Sequence, residues 1–183
     1  MDVHKAQMTD HPDTVLLPEN IAAGQELHVF ADGCYEPVSG EGGWAFVVHR
    51  DDAEVASGFG GVKDTANNTT ELIALLEAVT WINANATEEA AVVWSDSAYA
   101  VKGCNQGRHI WKNNGWKKIS ANAKARSRTI ANPDLWKAID GQLSRNRLLT
   151  IAWCKGHSGL AGNERADELA ERGRLSLRGK GTR

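Results

Sequence analysis

The chain reads as an α/β protein built on one five-stranded mixed sheet, its first three strands antiparallel, with helices flanking it. Three observations predict this. Strand-like runs come first, at 27–32, 44–49 and 54–60, joined by connections too short for a crossover. The apolar period then lengthens from two to about 3.6 after residue 70. Two short continuous apolar runs, 91–94 and 148–153, alternate with helical patterns, as buried parallel strands do.

Element by element, Leu27, Val29 and Ala31 alternate with His28, Phe30 and Asp32, a strand with one polar exit. Residues 33–43 are rich in turn formers and read as a loop, and Asp51-Asp52 as a hairpin turn. Leu72, Ile73, Leu75, Leu76, Val79 and Ile82 recur at helical spacing, and Ala98-Tyr99-Ala100-Val101 is helix-like. Pro133 starts a helix carrying Leu135, Trp136, Ile139 and Leu143. The last helix spans 163–172, with Asn163 as its cap. Trp81, Trp94, Trp136 and Trp153 sit on apolar faces and read as core, whereas Trp111 and Trp116, flanked by Lys and Asn, suit either packing or a ligand.

The 183 residues suit one domain with a full core, at an ordinary 42% hydrophobic and 24% charged. The expected organisation is a flexible extension over 1–24, a folded catalytic domain over 25–173 and a basic tail over 174–183. No apolar stretch approaches the roughly 20 residues that span a bilayer, and residues 1–18 lack the apolar centre of a signal peptide. Cys34, Cys104 and Cys154 are odd in number and far apart, which argues against a structural zinc site or a disulfide framework. The expectation is a monomer in the reducing cytoplasm. Net charge is only −2. Yet no acid occurs between Asp96 and Asp134, a stretch that carries Lys102, Arg108, Lys112, Lys117, Lys118, Lys124, Arg126 and Arg128. Arg172, Arg174, Arg178, Lys180 and Arg183 follow the final acid, Glu171. This asymmetry points to a polyanionic partner.

Four carboxylates stand where elements begin or end. Asp32 and Asp96 terminate apolar strands, Glu71 opens a helix, and Asp167 lies one turn after Asn163 on the same helix face. Ligands of open α/β sheets gather outside strand C-terminal ends, so neighbouring strands would bring Asp32 and Asp96 together. Four converging carboxylates repel unless cations compensate them. Without metal some pKa values should rise, and with metal all should ionise. The set suits two Mg²⁺ ions about 3.5–4 Å apart, clamping the attacking and leaving oxygens of a phosphodiester. His157, between glycines in Lys155-Gly156-His157-Ser158-Gly159, is placed to pass a proton.

The segments FADGC, NNTTELIALLEA, SDSAYAVKG and WCKGHSGLAGNERADELA, in that order, resemble the successive signatures of type 1 ribonuclease H, over roughly residues 25–173. HIWKNNGWKK resembles the basic protrusion of its bacterial members. The resemblance implies endonucleolytic cleavage of the RNA strand of RNA–DNA hybrids, leaving 5′-phosphate and 3′-hydroxyl ends, with Mg²⁺ or a substituting Mn²⁺. It implies that Asp32 bridges two metals, that Glu71 and Asp96 complete the leaving-group metal, and that Asp167 completes the one activating water. His157 matches the mobile-loop histidine and Asn163 a site residue near it. Asn67 and Asn68 match residues facing the minor groove, where 2′-hydroxyls are exposed. Trp111, Lys112, Trp116, Lys117 and Lys118 match the part gripping the DNA strand, and Asn132 a DNA-phosphate contact. Many relatives carry an Asn near Val38, a Thr at Ala66, a Gln or other long side chain at Ala98 and an aromatic near Gly107. Those departures touch substrate contacts and leave the reaction type intact. Residues 1–24 hold no separate hybrid-binding domain. Two other readings are a non-cleaving hybrid-binding module of the same fold and a DNA nuclease or recombinase sharing it. The full carboxylate set argues against the first. Asn67-Asn68 and the KGHSG loop argue against the second.

Overall fold

The computed structural model describes residues 26–119 and 128–178. The expected extension over 1–24 lies outside them, as do Lys124, Arg126, Lys180 and Arg183. The elements are β1 (Glu26–Glu36), β2 (Glu41–Arg50), β3 (Ala53–Val62), α1 (Asn67–Asn85), β4 (Ala90–Ser95), α2 (Ala98–Lys102), α3 (Arg108–Asn113), α4 (Pro133–Leu143), β5 (Leu149–Trp153) and α5 (Ala161–Leu175). A π-helical turn, Gly103–Gly107, joins α2 to α3. The sheet order is β3-β2-β1-β4-β5, antiparallel through the first three strands and parallel for β1–β4 and β4–β5. The expected five-stranded mixed sheet is therefore present.

Both faces of β1 are covered, which its alternating sequence did not suggest. Leu27, Val29 and Ala31 pack in the core on the α1 side. Phe30 packs with Ala166, Leu169 and Ala170 of α5 on the other. The turn at Asp51-Asp52 is as expected, both residues having the positive φ (50° and 62°) of the tight hairpin turns that match strand twist.

Residues 33–43 are not a loop. Strands β1 and β2 continue through them, pairing Gly33 with Trp44 and Cys34 with Gly43, and leave only 37–40 as the turn. The glycines serve close approach rather than turning. A Cβ on Gly43 would lie 1.9 Å from the Ala170 carbonyl oxygen, so α5 rests directly on β2. Helix α5 also starts earlier than expected, with Leu160 rather than Asn163 at its cap position. Asn163 is turned inward and buried instead. Arg174, read as tail, lies buried in α5 and pairs with Glu171 and Glu41.

Trp136 is fully buried, and its ring fills the space above Gly103. Trp81 and Trp94 are half-buried. Trp153 departs from the core reading: it is 38% exposed on the edge strand. Helix α1 begins without a side-chain cap, because Ala66 occupies the extended cap position (φ −143°, ψ 160°). A hydroxyl there would accept from a first-turn N–H. Ala66→Ser is expected to stabilise the protein by about 1 kcal/mol, read as a raised Tm. No gain would mean that water already serves those donors equally well.

Candidate active site

Sheet register brings the first two carboxylates together. Strands β1 and β4 run parallel, with Phe30 opposite Trp94. The pairing stops there, and two residues further on each strand comes Asp32 or Asp96. Asp32 thus lies within β1, at the point where its β4-side edge becomes unpaired, and Asp96 directly follows β4. Gly33 lets α1 approach from the opposite face, since a Cβ there would lie 2.5 Å from the Glu71 backbone nitrogen. That contact carries Glu71 to the same spot. It lies one turn into α1, later than the first turn expected of it. Ligand oxygens of Asp32, Glu71 and Asp96 all fall within 4.8 Å of one another. Asp167, half-buried on α5, stands outside that tight group but near enough for its charge to raise the pKa of both Asp32 and Glu71.

The surrounding contacts orient this group. The Asp32 Oδ1 accepts from the Gly33 N–H at 2.7 Å. The Asp96 carbonyl accepts from Trp153 Nε1 at 3.1 Å. The Cys154 thiol donates to Asn163 Oδ1 at 3.4 Å, which turns the amide so that its Nδ2 faces Asp96 Oδ2 at 3.5 Å. Gly156 packs the following loop onto Asp96; a Cβ there would lie 2.3 Å from Oδ2. His157 is exposed on that loop in the left-handed region (φ 51°), a conformation uncommon for a residue with a side chain and recurrent at functional sites.

The other expected contact residues spread from this centre. Asn67 and Asn68 are exposed at the start of α1. Asn132, at the cap position of α4 with φ 54°, accepts a hydrogen bond from Thr69 at 3.1 Å and so borders the same edge. Trp111 and Trp116 are half-buried and pack against the core, Trp111 with its ring centroid 5.1 Å from that of Trp136. Lys117 and Lys118 are exposed, whereas Lys112 is bound to Asp140 at 2.7 Å. Val38 and Ala98 are exposed and Gly107 half-buried.

The sequence model of the RNase H family matches residues 24–174. The chain belongs to the RNase H family. It is 36% identical over 159 residues to the Ribonuclease H of Dechloromonas aromatica, covering 87% of this chain and 100% of that one. The crystal structure of LC9-RNase H1, a type 1 RNase H with the type 2 active-site motif, matches with a TM-score of 0.68 at 25% identity, covering 86% of this chain and 75% of that one. A foamy viral protease–reverse transcriptase in complex with an RNA/DNA hybrid shares the fold (TM-score 0.66, 18% identity), over 91% of this chain and 23% of the viral one. The activity of this RNase H is hydrolysis of the RNA strand of RNA–DNA hybrids.

The RNase H site is electrostatically incomplete as a set of bare side chains. Burial, then the charges of Asp96 and Asp167, pushes the Asp32 carboxyl up to about 8. Burial, then the charges of Asp32 and Asp96, pushes Glu71 up to about 9. The Gly33 backbone hydrogen bond offsets only part of each rise. Glu71 Oε2 is buried without a hydrogen-bond partner. Native proteins seldom leave such an acceptor unmatched. An oxygen-rich set of carboxyl donors with an orphaned oxygen, whose ionised forms a cation would favour, fits a divalent cation.

Sequence reasoning missed the orienting residues. Cys154 and Trp153 adjoin the KGHSG loop in sequence, so proximity to the site was readable, but Trp153 was read as core. Gly33 follows Asp32 directly. Its need to be glycine depends on how close α1 comes, which no local pattern reveals.

Proposed function

We propose that this RNase H cuts by two-metal-ion catalysis, with Asp32, Glu71, Asp96 and Asp167 holding two Mg²⁺ ions for which Mn²⁺ can substitute. Held by these four carboxylates, such ions would supply electrostatic stabilisation of the attacking and leaving oxygens of the scissile phosphodiester. The observation that carries the reading is the convergence of three buried or half-buried carboxylates within 4.8 Å, one with an unmatched buried oxygen.

The chain's own groups divide the remaining work. Asp32, with one oxygen fixed by the Gly33 N–H, keeps its other oxygen for the site. Asn163 and Gly156 hold the Asp96 carboxylate in place. His157 Nε2 or Nδ1, on its exposed loop, takes or returns a proton as water attacks and product leaves. Cleavage leaves a 5′-phosphate and a 3′-hydroxyl. Asn67 and Asn68 offer amides to the minor groove, where the 2′-hydroxyl distinguishes RNA from DNA. Asn132 and the arm of Trp111, Trp116, Lys117 and Lys118 hold the DNA strand through phosphates and stacking, without base-edge readout. The partner is an RNA–DNA hybrid, in the manner of the foamy viral complex that shares the fold. Among the described residues no helix is long and apolar enough to cross a membrane. We propose a monomer acting in the cytoplasm, its catalytic domain beginning near residue 25 and running to the end of α5 at Leu175.

Asp96→Asn separates an enzyme from a non-cleaving binder. The variant is expected to lose cutting in Mg²⁺ while its Kd for the hybrid in EDTA stays within about threefold of wild type. Undiminished cutting would remove Asp96 from the site. A binder also has no use for buried carboxylates whose ionisation is this unfavourable.

A further inference from the structure

The sequence sets the cations of 102–128 side by side, with no acid among them to tell them apart. The structure divides them. Asp140, on α4 one turn after Trp136, is 5% exposed. Its Oδ1 accepts from Arg108 Nη1 at 2.6 Å and its Oδ2 from Lys112 Nζ at 2.7 Å. Arg108 and Lys112 are one helical turn apart on α3, so both reach this single carboxylate. Arg108 is held again by its Nε, which donates to the Cys104 carbonyl at 2.7 Å. Burial pushes the Asp140 carboxyl up, but hydrogen bonds from Lys112 and Arg108 outweigh it and hold the group below its ordinary range.

Drawing Lys112 away to a phosphate would strip Oδ2 of its partner and leave a buried carboxylate oxygen unmatched, which is unfavourable. The trio keeps one net positive charge; the Arg108 side chain is 16% exposed and that of Lys112 52%, so it is the bond of the Lys112 ammonium to Asp140, and not burial, that occupies it. Lys102, Lys117 and Lys118 are exposed and carry no ion pair among the described residues. The last two are presented by a fixed turn. Asn114 Nδ2 donates to the Lys117 carbonyl at 2.9 Å, and the Lys118 N–H to the Arg128 carbonyl at 2.7 Å.

We infer that Asp140 is a positioning residue that commits Arg108 and Lys112 to anchoring the arm on α4, leaving Lys102, Lys117 and Lys118 to meet the phosphates of the hybrid. This rests on the proposed hybrid-binding role of the arm and assigns its cations different tasks within it.

The test is hybrid affinity against KCl concentration in EDTA, where binding is read without cutting. Lys117→Ala and Lys118→Ala should each reduce the slope of log Kd against log salt by roughly 0.7–0.9. Lys112→Ala should reduce it by less than about half that amount. Asp140→Asn should steepen the slope and leave kcat at saturating hybrid unchanged. In the Asp140→Asn background, Lys112→Ala should then cost the full decrement. A merely structural ion pair would alter Tm and leave these slopes additive. Equal decrements for Lys112→Ala and Lys117→Ala in the otherwise unaltered protein would overturn the inference, and that comparison decides alone if Asp140→Asn does not fold. Failure of the unaltered protein to bind hybrid at all would instead overturn the proposed function, and this inference with it.

Discussion

Asp32→Asn and Glu71→Gln are each expected to abolish turnover, yet to leave the metal-free protein folded and at least as stable as the original. Each removes a carboxylate from the cation site. The expected loss in kcat exceeds the roughly 10²–10³-fold that follows deletion of a single transition-state hydrogen-bond donor, because charge as well as position is lost. The stability outcome runs the other way. Asp32 and Glu71 are buried beside like charges, so their ionised forms are disfavoured in the fold. An amide of the same shape carries no such penalty. The check is kcat on a hybrid with Mg²⁺ together with Tm in EDTA at pH 8. A variant that retains turnover within tenfold would detach that residue from catalysis. A variant that unfolds non-cooperatively would show the carboxylate to be structural.

Metal and pH are expected to act on stability through the same two groups. Asp32, at about 8, and Glu71, at about 9, both sit above their ordinary values in the fold. Between pH 4 and 9 the folded state therefore binds more protons than the unfolded one, and ∂ΔG/∂pH for unfolding is negative for this pair. Their contribution is fully present below about pH 4 and is lost as pH rises through 8 and 9. In EDTA, Tm should fall over that range by more in wild type than in Asp32→Asn. A divalent ion binds the ionised forms, so at pH 7 its binding should release up to about two protons, one from each group. Saturating metal at about 100 times its Kd should restore roughly 2.7 kcal/mol. Calorimetry in two buffers of different ionisation enthalpy counts the protons. A count of zero would mean that the pair is already ionised without metal.

Much of the architecture was legible because its signals are local. The period change at residue 70, the short apolar runs at 91–94 and 148–153, and Pro133 at a helix start all reflect backbone geometry that repeats within a few residues. The glycines of 33–43 misled because glycine serves turning and close approach alike. Only the seat of α5 on Gly43 and of α1 on Gly33 distinguishes them. The four carboxylates were recognisable from strand ends and motif order. The meeting of Asp32 and Asp96 follows from the β1–β4 register, a long-range fact that the sequence implies only if those strands are neighbours, and Glu71 joins them through the seat of α1 on Gly33. Asp140 was invisible for the same reason. It lies 28 residues beyond Lys112 in sequence, and nothing local marks it as the partner of a cation on another helix. Cys154 was treated as an isolated thiol, although it orients the Asn163 amide beside Asp96.

The central claim is that the carboxylate cluster cuts the RNA strand of a hybrid with the help of divalent metal. Its most direct test is cleavage of strand-labelled RNA–DNA hybrid, RNA–RNA, DNA–DNA and single-stranded RNA, each with Mg²⁺ and with EDTA. The account predicts internal cuts in the RNA strand of the hybrid alone, with 5′-phosphate ends, and none in EDTA. Cutting that persists in EDTA, or that falls on the DNA strand, would contradict it.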